Sequence, residues 1–207
     1  MISRVLKPLT FALCLLPVIW CLYQIAALQQ GQPHELGADP GKAIVDFIGQ
    51  WTLRLLILTL TITPVRKVFG IVILARVRRM LGLFTFFYAS LHLLSYLVFL
   101  LELRFTDLVT DVVKRPYITI GFCAFLLLVP LAVTSNQWMI RKLKQRWKVL
   151  HKLVYLIAIL AIVHLAWLTK TDYQEVFFYG LIMVSLLGYR VYRSTWFPRI
   201  SLIPVRR

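Results

Sequence analysis

Read only for its hydrophobic and polar positions, the chain is six long apolar runs separated by short polar connections. The runs cover about residues 9–28, 43–63, 80–101, 117–135, 148–168 and 174–192, with the second ended by Pro64. Roughly 20 apolar residues in helical form cross the ~30 Å hydrocarbon core of a bilayer. Lipid offers backbone amides no partner, so spanning runs of this kind must be helices. The pattern predicts an all-α fold, a polytopic membrane bundle of six transmembrane helices. Residues 1–207 read as a single transmembrane domain, because no polar stretch is long enough to fold separately. Arg4 and Lys7 precede the first run as they would in a secretory leader. That run is longer than a leader's apolar region and lacks a clear cleavage site, so a retained helix is expected. No internal repeat or low-complexity segment stands out.

Composition agrees with the pattern. Of the 207 residues, 60% are hydrophobic, against about 45–50% in soluble domains. The net charge of +16 would suggest nucleic acid as the partner of a soluble chain, but its distribution gives a different reason. Arg66, Lys67, Arg76, Arg78 and Arg79 fill the second connection, and Arg141, Lys142, Lys144, Arg146 and Lys148 the fourth. Arg190, Arg193, Arg199, Arg206 and Arg207 follow at the C-terminal end. None of these segments contains an acid. All eight acids fall in or beside the odd connections: Glu35, Asp39, Asp46, Glu102, Asp107, Asp111, Asp172 and Glu175. Basic loops stay in the cytoplasm. Both termini are therefore expected there, and nucleic acid is not expected as a partner. The same loops offer an anionic docking surface for membrane lipids, a flavin phosphate or an acidic protein.

Against this apolar background the ionisable residues stand out. His92 lies in the third run, and His151 and His164 in the fifth. Charged or titratable groups at membrane depth are costly and mark functional sites, and neutral imidazole is the usual haem-iron ligand. Measured from Arg79 and Lys148, His92 lies ~20 Å deep, His164 ~24 Å and His151 ~5 Å on ideal helices. Matched depth pairs His92 with His164 about one haem. His151, ~20 Å from His164 and turned ~140° from it, serves a second haem or another site near the cytoplasm. The spacing alone leaves one haem or two open, and a hydrogen bond to a neighbouring helix is the plainer use of any one histidine. Arg54, near the middle of the second run, would suit a haem propionate. It would equally suit snorkelling or a backbone carbonyl. His34 reads as loop surface. Aromatics such as Phe84, Tyr88, Tyr155 and Trp167 read as packing or interfacial belts. Cys14, Cys21 and Cys123 have no metal-type spacing and read as small buried hydrophobes.

No nucleotide loop, flavin domain, Ser–His–Asp set or metalloprotease motif is present. A chain of this kind that moves electrons takes them from one molecule and gives them to another. The segments LGADP (36–40), RRMLGL (78–83), LHLLSY (91–96), RPYITIG (115–121) and RWKVLHKLVYLIAILAIVH (146–164) resemble the MsrQ/YedZ family of the ferric-reductase-like transmembrane group. The resemblance covers about residues 9–192. It implies haem b on the histidines matching His92, His151 and His164. It also implies a partner, a periplasmic molybdopterin methionine sulfoxide reductase that repairs oxidised proteins. Electrons would come from the quinone pool, and FMN and a cytosolic flavin reductase are also associated with the family. On this reading the chain is an electron-transfer subunit, not itself catalytic on methionine sulfoxide. A stand-alone ferric-reductase-like metalloreductase or superoxide producer is the alternative, although such enzymes normally carry a fused flavin and nicotinamide domain. A non-redox scaffold or transporter would not need matched histidines.

Overall fold

The structure is a computed structural model that describes residues 2–169 and 173–196. Asp172, Arg199, Arg206 and Arg207 lie outside the described residues, as do the side chains of Arg4 and Arg193. Nine α-helices are described, and no strand occurs among the described residues. They are α1 (Ile2–Gln29), α2 (Pro40–Phe69), α3 (Ala75–Ser95), α4 (Phe105–Lys114), α5 (Pro116–Val133), α6 (Gln137–Leu143), α7 (Gln145–Leu150), α8 (Leu153–Leu168) and α9 (Gln174–Trp196). Six helical stretches are long and apolar enough to cross a membrane: 5–29, 40–69, 72–100, 116–133, 145–168 and 174–192. The chain is an all-α, multi-pass membrane bundle.

Two buried clusters hold it together. One joins α1, α2 and α3 through Cys14, Cys21, Ile48, Leu55, Phe84 and Tyr88. The other joins α2, α5, α8 and α9 through Leu56, Leu60, Leu128, Ile157 and Met183, with Ala89 of α3. The span on α2 is half buried while only 6% of the last one is, so α2 is the central post and most of α9 faces outward. Exposed Leu, Val, Phe and Trp side chains cover the outside, as lipid contact requires. Cys14 and Cys21 are buried, but Cys123 is exposed and departs from the expectation for all three.

Tyr88, fully buried, is a rivet between α3 and α1. Its hydroxyl donates to the Cys14 carbonyl at 2.8 Å and accepts from the Val18 N–H at 3.1 Å. Those two groups would otherwise bond each other along α1, so the tyrosine is inserted in the helix ladder just beside Pro17.

Three boundaries differ from the sequence reading. Pro64 does not end the second helix, which continues to Phe69 and stops at Gly70 in a left-handed cap, φ 70°. A proline inside a helix leaves the carbonyl four residues back without a donor. Here that carbonyl is Leu60, and Arg190 from α9 supplies the bond from Nη2 at 2.7 Å. The fifth span is not one continuous helix: α7 and α8 are separated at His151 and Lys152 by a tighter turn, Lys152 N–H donating to Val149 O at 3.0 Å. The third span begins earlier than expected and ends in a wide π-helical turn over Tyr96–Leu100. Tyr96 there donates to Asp111 of α4, which also pairs with Arg115 Nε at 3.1 Å.

Candidate haem site

His92 on α3 and His164 on α8 are built into the bundle in the same way. The His92 ring lies against the backbone of α2 at Gly49, where an added Cβ would come within 2.8 Å of it. Its Nδ1 is 3.0 Å from the Val45 carbonyl, one turn earlier on α2. The His164 ring lies against α5 at Gly121, with the same 2.8 Å clearance, and its Nδ1 is 2.7 Å from the Tyr117 carbonyl. A carbonyl only accepts, so each Nδ1 carries the proton and each Nε2 keeps its lone pair. A carbonyl behind the ring is the usual support of a metal-ligating histidine.

The two rings face each other, with centroids 6.4 Å apart and planes at 79°. Two imidazole nitrogens each about 2 Å from a shared iron put their ring centroids about 6 Å apart. The observed separation fits a bis-histidine iron. Among the described residues no three His, Cys, Asp or Glu gather round one point, and two histidines alone are a donor set that a haem iron accepts. The structure brings together the two residues that matched depth had paired.

His151 stands apart from them, at the break between α7 and α8. Its ring stacks on Trp147 at 3.9 Å and 27°, and its Nδ1 is 3.1 Å from the Trp147 carbonyl. Trp147 is itself fixed, its indole N–H donating to the Thr134 carbonyl at the end of α5 at 2.9 Å. The Leu131 backbone lies near the ring, yet Nε2 is buried without a partner at hydrogen-bonding distance. A buried polar atom left unpaired is rare and costly. Here it is also the ring nitrogen through which His151 could bind an iron. Because the helix breaks at this residue, the ~140° rotation drawn from an ideal helix does not apply.

Placing the residues in space exposes a repeat that the sequence hides. Gly49 and Gly121 are 72 positions apart, as are Val45 and Tyr117, and His92 and His164. The α2–α3 pair and the α5–α8 pair therefore present the same histidine-on-glycine cradle from opposite sides. The same shift carries Arg79 onto His151, so the inner position has one histidine where the outer has two. Arg79 borders a cavity of about 370 Å³ with Leu83, Ala132, Val133, Ser135, Asn136 and Gln137.

Arg54 has protein partners. Its Nε donates to the Tyr179 hydroxyl at 3.0 Å and its Nη2 to Gln50 Oε1 at 3.1 Å, and its guanidinium lies 5.1 Å from the Trp51 ring centroid. Gln50 in turn donates to Glu175 at 3.1 Å. The residue ties α2 to α9, and none of these bonds goes to a histidine. Glycines 49 and 121 and Arg190 are the structural contributors that the sequence reading did not single out. A shared spacing of 43 residues between each glycine and its histidine was the only available signal.

Comparison with known proteins gives one consistent answer. The family model described as the ferric reductase like transmembrane component matches residues 48–162, which include both glycines, His92 and His151. Proteins named protein-methionine-sulfoxide reductase heme-binding subunit MsrQ are similar along most of the chain. One from Xanthomonas euvesicatoria pv. vesicatoria (strain 85-10) is 46% identical, covering 91% of this chain and 86% of that one. One from Xanthomonas campestris pv. campestris (strain B100) is 48% identical, at 90% and 86% coverage. One from Polaromonas naphthalenivorans (strain CJ2) is 47% identical, at 90% and 84%.

Proposed function

The chain belongs to the MsrQ family, within the ferric-reductase-like transmembrane group, and on that premise we propose that it is the haem b electron-transfer subunit of a protein-repair system. It sits in the bacterial inner membrane with both termini in the cytoplasm, and residues 1–207 act as one transmembrane domain. Quinol is oxidised on its donor side. A periplasmic molybdopterin enzyme reduces methionine sulfoxide to methionine and water on the other. A flavin donor, as bound FMN or through a cytosolic flavin reductase, is the second route in.

The observation that carries this reading is the 6.4 Å between two opposed imidazoles, each fixed by a carbonyl at its back. His92 and His164 hold one haem toward the acidic end of the bundle, and His151 holds a second toward the basic end. When bound, haem supplies a one-electron carrier at each level of the membrane. The protein's own part is positional. Val45 and Tyr117 fix the ring tautomers and strengthen the Nε2 lone pairs. Gly49 and Gly121 let the rings seat against backbone, and the apolar clusters keep water from the sites. Two histidine ligands would leave no open position on a haem iron held between them, which would suit passing electrons rather than binding oxygen.

The test is haem per polypeptide and a reduced-minus-oxidised spectrum in wild type and three single variants. His92→Ala and His164→Ala are each expected to abolish the outer low-spin signal. His151→Ala is expected to keep that signal and to remove the remaining haem. A full bis-histidine spectrum in His164→Ala, lost instead in His151→Ala, would overturn the pairing.

A further inference from the structure

Arg190 does more than close the gap left by Pro64. Nη2 is used on the Leu60 carbonyl, and the guanidinium lies 4.7 Å from the Tyr155 ring centroid. Its Nε and Nη1 are buried and have no hydrogen-bond partner among the described residues. Guanidinium donors left unmet away from water are costly. The cost is compounded by neighbours of the same sign, since Arg78 lies within electrostatic range of both Arg190 and Arg66. Like charges in range of one another repel, although exposed Arg78 is partly screened by solvent.

No acid relieves this cluster. All four ion pairs among the described residues lie at the other end of the bundle: Lys42–Asp46, Arg104–Glu102, Arg104–Asp107 and Arg115–Asp111. The connections at the basic end contain no Asp or Glu. Orphaned donors and uncompensated charge at one point call for the same remedy, an oxyanion with several acceptor lone pairs. Arginines suit phosphate in particular.

We propose that Arg190, with Arg66 and Arg78, forms a phosphate-class oxyanion site where the basic ends of α2, α3 and α9 meet over Tyr155. The occupant is either free phosphate or the phosphodiester of an anionic lipid. The site is separate from the histidines and does not depend on their haem assignment.

The test uses the full chain in nanodiscs and reads the thermal midpoint. One arm titrates inorganic phosphate at constant ionic strength in phosphatidylcholine discs. The other replaces part of the phosphatidylcholine with phosphatidylglycerol, without phosphate. A saturable rise with phosphate identifies a free anion, and a rise with phosphatidylglycerol alone identifies the lipid. Arg78→Gln, which removes no hydrogen bond of the fold, is expected to raise the half-saturating concentration about tenfold. Arg190→Gln is made together with Pro64→Ala, whose restored N–H satisfies Leu60, so the response is lost without loss of the helix. No specific rise in wild type with either probe overturns the site, as does a response kept in full by either variant.

Discussion

At the scale of single residues, the proposed haem site depends on two glycines as much as on two histidines. A methyl group at position 49 or 121 would lie 2.8 Å from the facing imidazole, which real Cβ atoms do not tolerate. Either the ring or the helix must move, and overpacking of this kind costs about 1–3 kcal/mol. Gly49→Ala and Gly121→Ala are therefore each expected to weaken outer haem retention by roughly ten- to a hundredfold, while leaving the His151 haem in place. Haem content after gel filtration, read against the inner haem as internal standard, checks this. The histidines were legible in the sequence because a titratable group in lipid always asks for a reason. The glycines were not, since Gly is common in membrane helices and its partner ring lies 43 residues away in sequence. Arg54 was legible as an anomaly, but its protein partners were not. Tyr179, 125 positions away, gave no local sign that it would be the partner. Tyr179→Phe removes one hydrogen bond to a charged group, and is expected to lower stability by about 1.5–3 kcal/mol without changing the haem spectrum.

Among the elements, α2 shows why local rules mark an end that the fold then overrides. Proline inside a helix costs about 3 kcal/mol, partly through a lost hydrogen bond and partly through a steric clash. The hydrogen-bond part is recovered by Arg190, 130 positions after Leu60, so the helix can run on to Phe69 and stop at Gly70. The arrangement makes Pro64 and Arg190 energetically coupled. Arg190→Gln alone is expected to destabilise the protein by about 1.5–3 kcal/mol, and by clearly less in a Pro64→Ala background. A double-mutant cycle in denaturant should give a coupling of about 1 kcal/mol or more, whereas strict additivity would mean that the Leu60 bond carries no weight. The break between α7 and α8 is a similar case. Nothing in the run from Lys148 to Leu168 marks it, because it comes from the fixing of Trp147 on the end of α5. Span number was secure from hydropathy, but span continuity depended on contacts that a one-dimensional pattern does not contain.

On the scale of the whole molecule, charge is sorted by end. Arg66 and Lys67 occupy the last turn of α2, where cations suit the helix dipole. Arg76, Arg78 and Arg79 occupy the first turns of α3, where the dipole opposes them by about 0.3–1 kcal/mol each. A helix chosen for its own stability would place acids there, so a different demand fixes these positions. Retention of positive loops on the cytoplasmic side is that demand. Four ion pairs at the acidic end and no acid in the connections at the basic end make the asymmetry complete. The positive-inside rule predicts the orientation: Glu35 and Asp107 toward the periplasm and Arg76 toward the cytoplasm. Single cysteines at these three positions, in a chain whose exposed Cys123 has been replaced by alanine, can be read with a charged maleimide that does not cross membranes. Labelling of intact spheroplasts is expected at 35 and 107 and absent at 76 until the membrane is opened. Labelling at 76 from outside would invert the bundle. The paired histidines would then lie nearer the cytoplasm and His151 nearer the periplasm, and the direction of electron flow proposed above would be reversed.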